Sequence, residues 1–281
     1  AGGNFSLPLN PSVFQAWDAN GETEKGSKVK KSAGPFYFWG SFGHTARIEE
    51  QMKISSDINV WDAGMQYNEL GATTIQNWMT EETSERFLEE IKKIPEEWWF
   101  QSTYDGKEVK NIQYLPQNTE QLAQNAEQAQ KAFLQGKFSY NFDRSMPHVA
   151  GCNCVECRFK EWLAGPEVLG WISRLTGETL TGTGELFASR YKAGQFLSPH
   201  HDKNKGTIGF VFNITKNWKP EFGGSLHMLE EDYININKVV LPKFNQLTIF
   251  NIPKVHGVPH FVSHVVGGVT NERLSFTGWF S

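Results

Sequence analysis

Thr207-Ile208-Gly209-Phe210-Val211-Phe212-Asn213-Ile214-Thr215, Gln246-Leu247-Thr248-Ile249-Phe250-Asn251-Ile252 and Arg273-Leu274-Ser275-Phe276-Thr277-Gly278-Trp279-Phe280 are short runs rich in β-branched and aromatic residues, separated by turn formers. Leu186 to Tyr191, Ser225 to Leu229 and Phe261 to Val266 read the same way. Strand after strand at this spacing predicts a sandwich or barrel over the C-terminal part of the chain.

Upstream the pattern is helical. A helix is predicted from near Thr80, with Glu81 and Glu82 placed for the dipole and Phe87, Leu88 and Ile91 on the apolar face; it stops before Pro95. A second starts at Asn118, where Gln121 is placed for a capping box, and carries Leu122, Ala126, Ala129 and Phe133 to Gly136. A third covers about Phe159 to Leu175, is broken at Gly165-Pro166 and is closed by Gly177. Phe138 to Arg144 alternates and reads as a strand feeding the barrel. Residues 1–70, with aromatic runs such as Phe36-Tyr37-Phe38-Trp39 and no regular period, are expected to form an arm packed on the core of residues 71–281.

Composition narrows the partners. The 281 residues are 39% hydrophobic and 21% charged, as in a folded globular chain, and carry a net charge of -4. No long basic run is present, so neither nucleic acid nor an anionic membrane surface is an expected partner. The apolar runs are only a few residues long, against the roughly 20 needed to span a bilayer. The three cysteines, Cys152, Cys154 and Cys157, are too crowded to form a disulfide framework. This favours a reducing, cytoplasmic compartment.

The sharpest local signal is Ser198-Pro199-His200-His201-Asp202. Residues two apart in a strand share a face, so His200 and Asp202 can reach one metal while His201 points away. An imidazole and a carboxylate supply two thirds of the facial triad that binds non-haem Fe(II) and leaves coordination positions open. Tyr191-Lys192-Ala193-Gly194-Gln195-Phe196 leads into this segment, Gly223-Gly224-Ser225-Leu226 follows it, and the chain closes on Asn271-Glu272-Arg273 and the strand quoted above.

In that order and spacing, the stretch from about Leu186 to the end resembles the prolyl 4-hydroxylase-like branch of the Fe(II)- and 2-oxoglutarate-dependent oxygenases. The resemblance implies a double-stranded β-helix, or jelly roll, with the N-terminal helices packed outside. It implies Fe(II) held by His200, Asp202 and a distal histidine, with 2-oxoglutarate as cosubstrate, O2 as oxidant and ascorbate as reductant. His264 lies nine residues before Arg273 and is the expected third ligand; His260, thirteen before it, and His256 are rivals. Arg273 is expected to take the distal carboxylate of 2-oxoglutarate, which suits its fixed guanidinium fork, with Tyr191 and Thr277 adding hydroxyls. The implied reaction is hydroxylation of a C–H bond, foremost of a peptidyl proline, coupled to decarboxylation of 2-oxoglutarate to succinate. A free amino acid or another small metabolite is the alternative substrate. Because Asp202 is present, hydroxylation is expected rather than halogenation, with desaturation and demethylation as the other outcomes open to such a site.

Two other classes are weighed against this. A zinc hydrolase with the same three ligands, or a non-catalytic metal-binding barrel, leaves Arg273, Thr277 and Tyr191 without a purpose. Separately, His148, Cys152, Cys154 and Cys157 offer the four ligands of a structural zinc site, although Cys-x-Cys departs from the common Cys-x-x-Cys spacing; reduced, partly buried thiols are the other reading. His201 and His44 are expected to be structural, and Arg144, Arg190 and Lys192 to lie in ordinary surface positions on the sheet.

Overall fold

A computed structural model describes residues 52–148, 151–252 and 258–281. Five helices lie in the first part: α1 (Val60–Leu70), α2 (Glu81–Lys92), α3 (Thr119–Leu134), α4 (Val155–Leu163) and α5 (Pro166–Thr176). Among and after them come β1 (Ala72–Gln76), β2 (Trp99–Tyr104), β3 (Val109–Gln113), β4 (Tyr140–Ser145), β5 (Thr183–Tyr191) and β6 (Phe196–His200). The remaining strands are β7 (Ile208–Asn213), β8 (Leu226–Leu229), β9 (Ile236–Val240), β10 (Gln246–Asn251), β11 (His260–Val262) and β12 (Arg273–Phe280).

The helix ends follow local chemistry. The Thr80 hydroxyl accepts the Thr83 N–H and starts α2. Pro166 at the first position of α5 supplies no N–H for a continuous helix, so the predicted third helix is two, and Gly177 ends the second in the left-handed conformation at φ 77°. The capping box expected at Asn118 does not form. A 3-10 turn over Pro116–Asn118 already holds Asn118 near helical angles, and its side-chain amide donates to the Gln113 carbonyl. Of the predicted arm, residues 1–51, with Phe36-Tyr37-Phe38-Trp39 and His44, lie outside the described residues; residues 60–70 form α1.

All the strands pair antiparallel, in the order β1-β10-β7-β12-β5-β4-β6-β11-β8-β9, with β2 on β4 and β3 on β2. The sheet curls into a nearly closed barrel, as the double-stranded β-helix expectation requires. Alternation divides it. On β12, Leu274, Phe276 and Phe280 join Phe87, Phe159, Ile172 and Phe212 in a core shared with the helices. Trp279, on the opposite face, packs with Phe187, Tyr191, Val211 and Phe250 inside the barrel.

A buried ion network pins the segment that leads to His200. Asp143 on β4 is fully buried; its Oδ2 accepts the Arg190 Nε–H at 2.9 Å and lies 3.0 Å from Lys192 Nζ. Its Oδ1 accepts the Tyr114 hydroxyl and the Gln195 side-chain amide, both at 2.6 Å. The Gln195 side-chain oxygen Oε1 then accepts the Lys192 N–H, closing the turn through Gly194 at φ 80° from which β6 departs. Arg190 also makes two hydrogen bonds to the Glu96 carboxylate and lies 4.4 Å from the Trp99 ring. Arg190 is therefore no surface residue. Arg144 is half-buried, pairing with Glu185 and lying over the Phe187 ring. We predict that Asp143→Ala lowers unfolding stability by about 3–5 kcal/mol, because the Arg190 Nε–H, the Tyr114 hydroxyl and the Gln195 amide all lose one buried acceptor; urea denaturation followed by tryptophan fluorescence checks this.

Candidate active site

The end of β6 and the residues after it present His200 and Asp202, as the His-x-Asp spacing predicts. Across the sheet, β11 pairs with β6 so that His260 stands directly opposite His200. The two imidazole rings are 4.4 Å apart, His200 Nε2 lies 3.5 Å from one Asp202 oxygen and His260 Nε2 lies 3.8 Å from the other. The ligand atoms of His200, Asp202 and His260 all fall within 4.8 Å of one another, a group able to hold one metal ion.

The tautomers are fixed by the backbone. His200 Nδ1 is 3.0 Å from the Ser198 carbonyl and His260 Nδ1 is 2.9 Å from the Val258 carbonyl. A carbonyl only accepts, so each Nδ1 carries a proton and each Nε2 faces Asp202, where a bound metal would take the place of any proton on it. Burial, reinforced by the neighbouring His200, pushes His260 down to about 4, so it is a neutral donor at pH 7. Burial opposes the charge on Asp202, but His200, His260 and the indole N–H of Trp279, which donates to Asp202 at 2.9 Å, hold its carboxyl well below the usual range. A carboxylate and two imidazole nitrogens form the donor set of a facial Fe(II) site.

The expectation that His264 is the third ligand is corrected. His264 lies beyond the end of β11; its ring stacks on Phe196 at 4.1 Å, packs against Phe133, and its Nε2 hydrogen-bonds Gln130 Oε1 at 2.9 Å. Phe196 opens β6 and His200 closes it, so His264 sits at the wrong end of the strand, about 13 Å away at the usual rise per residue. Counting back from Arg273 selected His264, but the intervening turn through Gly267 and Gly268 carries no fixed length. His256, the other rival, lies outside the described residues. Trp279 as the donor to Asp202 was not anticipated either; its position six residues after Arg273 on the same strand face was the available sign.

Arg273 is directly opposite Tyr191 in the β12–β5 pairing, with its guanidinium carbon 4.9 Å from the centre of the phenol ring. It is only 2% exposed, and its Nε and Nη1 have no hydrogen-bond partner. Tyr191 is its hydrogen-bond partner, but a buried cation with two unpartnered nitrogens and no counter-charge among the described residues is costly, and a carboxylate docked on the guanidinium reduces that cost. Burial raises the Tyr191 phenol to about 12, so it remains a donor, and Asp202 is near enough to add to that rise. Thr277 shares the Arg273 face, where its hydroxyl lies 3.2 Å from that of Ser189. His201 does not join the metal group, and His227 stacks on Phe261 at 4.4 Å, on the strand face opposite Met228. The second predicted group also comes together: the ligand atoms of His148, Cys152, Cys154 and Cys157 lie within 4.8 Å of one another.

Comparison with known proteins agrees with this geometry. Residues 186–281 match the model of the 2OG-Fe(II) oxygenase superfamily. The matched stretch contains His200, Asp202, His260 and Arg273, and it supports a 2-oxoglutarate/Fe(II)-dependent dioxygenase. Among solved structures, it is similar to an oxidoreductase of the 2OG-Fe(II) oxygenase family from Burkholderia pseudomallei, at 13% identity and TM-score 0.52, covering 82% of this chain and 93% of that one. It is also similar to a prolyl hydroxylase from Trichoplax adhaerens, in complex with a peptide fragment of the hypoxia inducible factor oxygen degradation domain. There the identity is 15% and the TM-score 0.52, over 84% of this chain and 90% of that one. No curated protein matches the sequence significantly. No helix among the described residues is long and apolar enough to cross a membrane.

We predict that His260→Ala weakens binding of Fe(II), or of Mn(II) as its surrogate, by a factor on the order of 10² or more, while His264→Ala leaves it within about threefold. Anaerobic isothermal titration of the metal-free proteins reads this directly.

Proposed function

We propose that the chain hydroxylates a C–H bond of a peptidyl proline, with His200, Asp202 and His260 holding Fe(II) and Arg273 holding 2-oxoglutarate. The observation that carries this reading is the pairing of a His-Asp-His donor group with a buried guanidinium whose Nε and Nη1 lack hydrogen-bond partners, in one barrel. A hydrolytic site needs the first of these and has no use for the second.

The residues divide the work. Arg273 receives the distal carboxylate of 2-oxoglutarate in a two-pronged hydrogen bond, Tyr191 donates its phenol to the same end, and Thr277 offers a hydroxyl from the same strand face. The apolar interior formed by Phe187, Val211, Leu226 and Phe250 keeps water from that ion pair and so strengthens it. Bound Fe(II) supplies the activation of O2 that couples oxidation of 2-oxoglutarate, to succinate and carbon dioxide, with hydroxylation of the substrate; ascorbate would keep the metal reduced. Trp279 holds Asp202 in place as an anionic ligand.

Two features support a prolyl substrate. The similar Trichoplax prolyl hydroxylase structure is of a complex with a peptide fragment. In this chain, Phe138 lies 5.6 Å from the His200 ring and packs edge-on against Tyr140, an aromatic flank suited to a pyrrolidine ring.

Succinate formation by anaerobically purified protein, given Fe(II), ascorbate and then air, tests the reading across proline-containing peptides and free amino acids. The expected result is succinate that rises with a proline peptide, together with a product heavier by one oxygen atom. Stimulation only by a free amino acid would replace the peptide substrate, and no succinate from iron-loaded protein would reject the proposal. In the same assay, Arg273→Ala should raise the 2-oxoglutarate concentration for half-maximal rate by a factor on the order of 10², with Arg273→Lys intermediate.

A further inference from the structure

The segment joining β4 to α4 carries a second ligand group with no part in the barrel chemistry. His148 Nδ1 lies 3.6 Å from Cys152 Sγ and 3.3 Å from Cys154 Sγ. With Cys157 the four ligand atoms lie within 4.8 Å of one another. In tetrahedral zinc with ordinary Zn–N and Zn–S bonds, neighbouring nitrogen and sulfur ligands are about 3.5 Å apart. The two recorded N–S separations bracket that value.

We propose that His148, Cys152, Cys154 and Cys157 form a structural zinc site. All four positions come from protein, which leaves no place for water or substrate and marks the site as structural. The imidazole is already oriented for the task. His148 Nε2 is 2.6 Å from Glu156 Oε2, which fixes the ring with Nδ1 facing the sulfurs; hydrogen bonds to Cys154 and Glu156 raise the imidazole to about 11, and a bound metal would take the place of the Nδ1 proton. Glu156 is 1% exposed and also accepts the Ser145 hydroxyl at 2.8 Å. Ser145 in turn accepts the Ala188 N–H of β5. This chain of contacts connects the cluster to the last residue of β4 and to the strand beside β12. Cys154 is the residue before α4, and Cys157 lies in its first turn. Zinc bound here would therefore fasten the start of α4 to the end of β4. Thiolate and imidazole ligands favour Zn over the oxygen-ligated Mg and Ca, while the mixed carboxylate site in the barrel suits Fe(II).

The test is metal content of the full chain, carrying no histidine tag and grown with supplementary zinc, measured by elemental analysis. About one zinc per chain is expected in the unaltered protein and in the His200→Ala/Asp202→Ala double variant, falling to less than about a tenth in Cys154→Ser/Cys157→Ser. Cobalt loaded in place of zinc should show the intense visible absorption of tetrahedral thiolate coordination, retained in the barrel variant and lost in the cysteine variant. Should the cysteine variant fail to fold, a mercurial reagent added to the unaltered protein must release zinc in step with titration of the three thiols. A zinc-free protein, zinc that survives loss of the cysteines, zinc lost with His200 and Asp202, or release unlinked to the thiols would each overturn the proposal.

Discussion

The two-sidedness of β12 is the constraint on which the rest of the molecule depends. The strand pairs with β5 on one edge and β7 on the other. Its even-numbered apolar residues Leu274, Phe276 and Phe280 anchor the helical layer. Its odd-numbered residues deliver Arg273, Ser275, Thr277 and Trp279 to the barrel side. A slip of one residue in register would push the guanidinium into the helix-facing core and turn three large apolar side chains into the cleft. The strong core therefore fixes the register, and the register positions the chemistry. Gly278 belongs to the same arrangement: a Cβ there would come within 2.8 Å of both the Glu185 carbonyl oxygen and the Phe210 ring, so the close pairing with β5 admits nothing larger.

The site joins two opposite electrostatic problems. Asp202 is a buried anion satisfied by two imidazoles and an indole N–H, whereas Arg273 is a buried cation whose Nε and Nη1 have no partner. The first suits a cation and the second an anion; a metal ion bound together with a dicarboxylate satisfies both. The Asp143 network presents a contrast. There a buried arginine is saturated by Asp143 and Glu96, so it contributes architecture and orients the turn ahead of β6.

Much of this was legible in the sequence because strand alternation and helix punctuation are local. Thr80, Gly165-Pro166 and Gly177 marked helix boundaries that the structure reproduces, and the His200-x-Asp202 spacing predicted a shared face. The identity of the third histidine was not local. It depends on which residue of β11 lies opposite His200, a matter of register between strands separated by sixty residues, and the count from Arg273 crossed a turn that sets no length. Strands β1, β2, β3 and β9 were also missed. β2 is largely polar, Trp99-Phe100-Gln101-Ser102-Thr103-Tyr104, yet buried, because it lies between β3 and β4 and its side chains meet protein on both sides. β9 is an edge strand with most of its residues exposed, so it lacks the apolar face that would have revealed it.

In the proposed function, the metal group and the Arg273 pocket receive the two ends of one ligand. The most direct measurement is the affinity of 2-oxoglutarate for the unaltered protein, by anaerobic calorimetry with and without Mn(II). Binding strengthened at least about tenfold by the metal, as expected for a shared chelate, is the predicted result. Equal affinity with and without metal would contradict the claim.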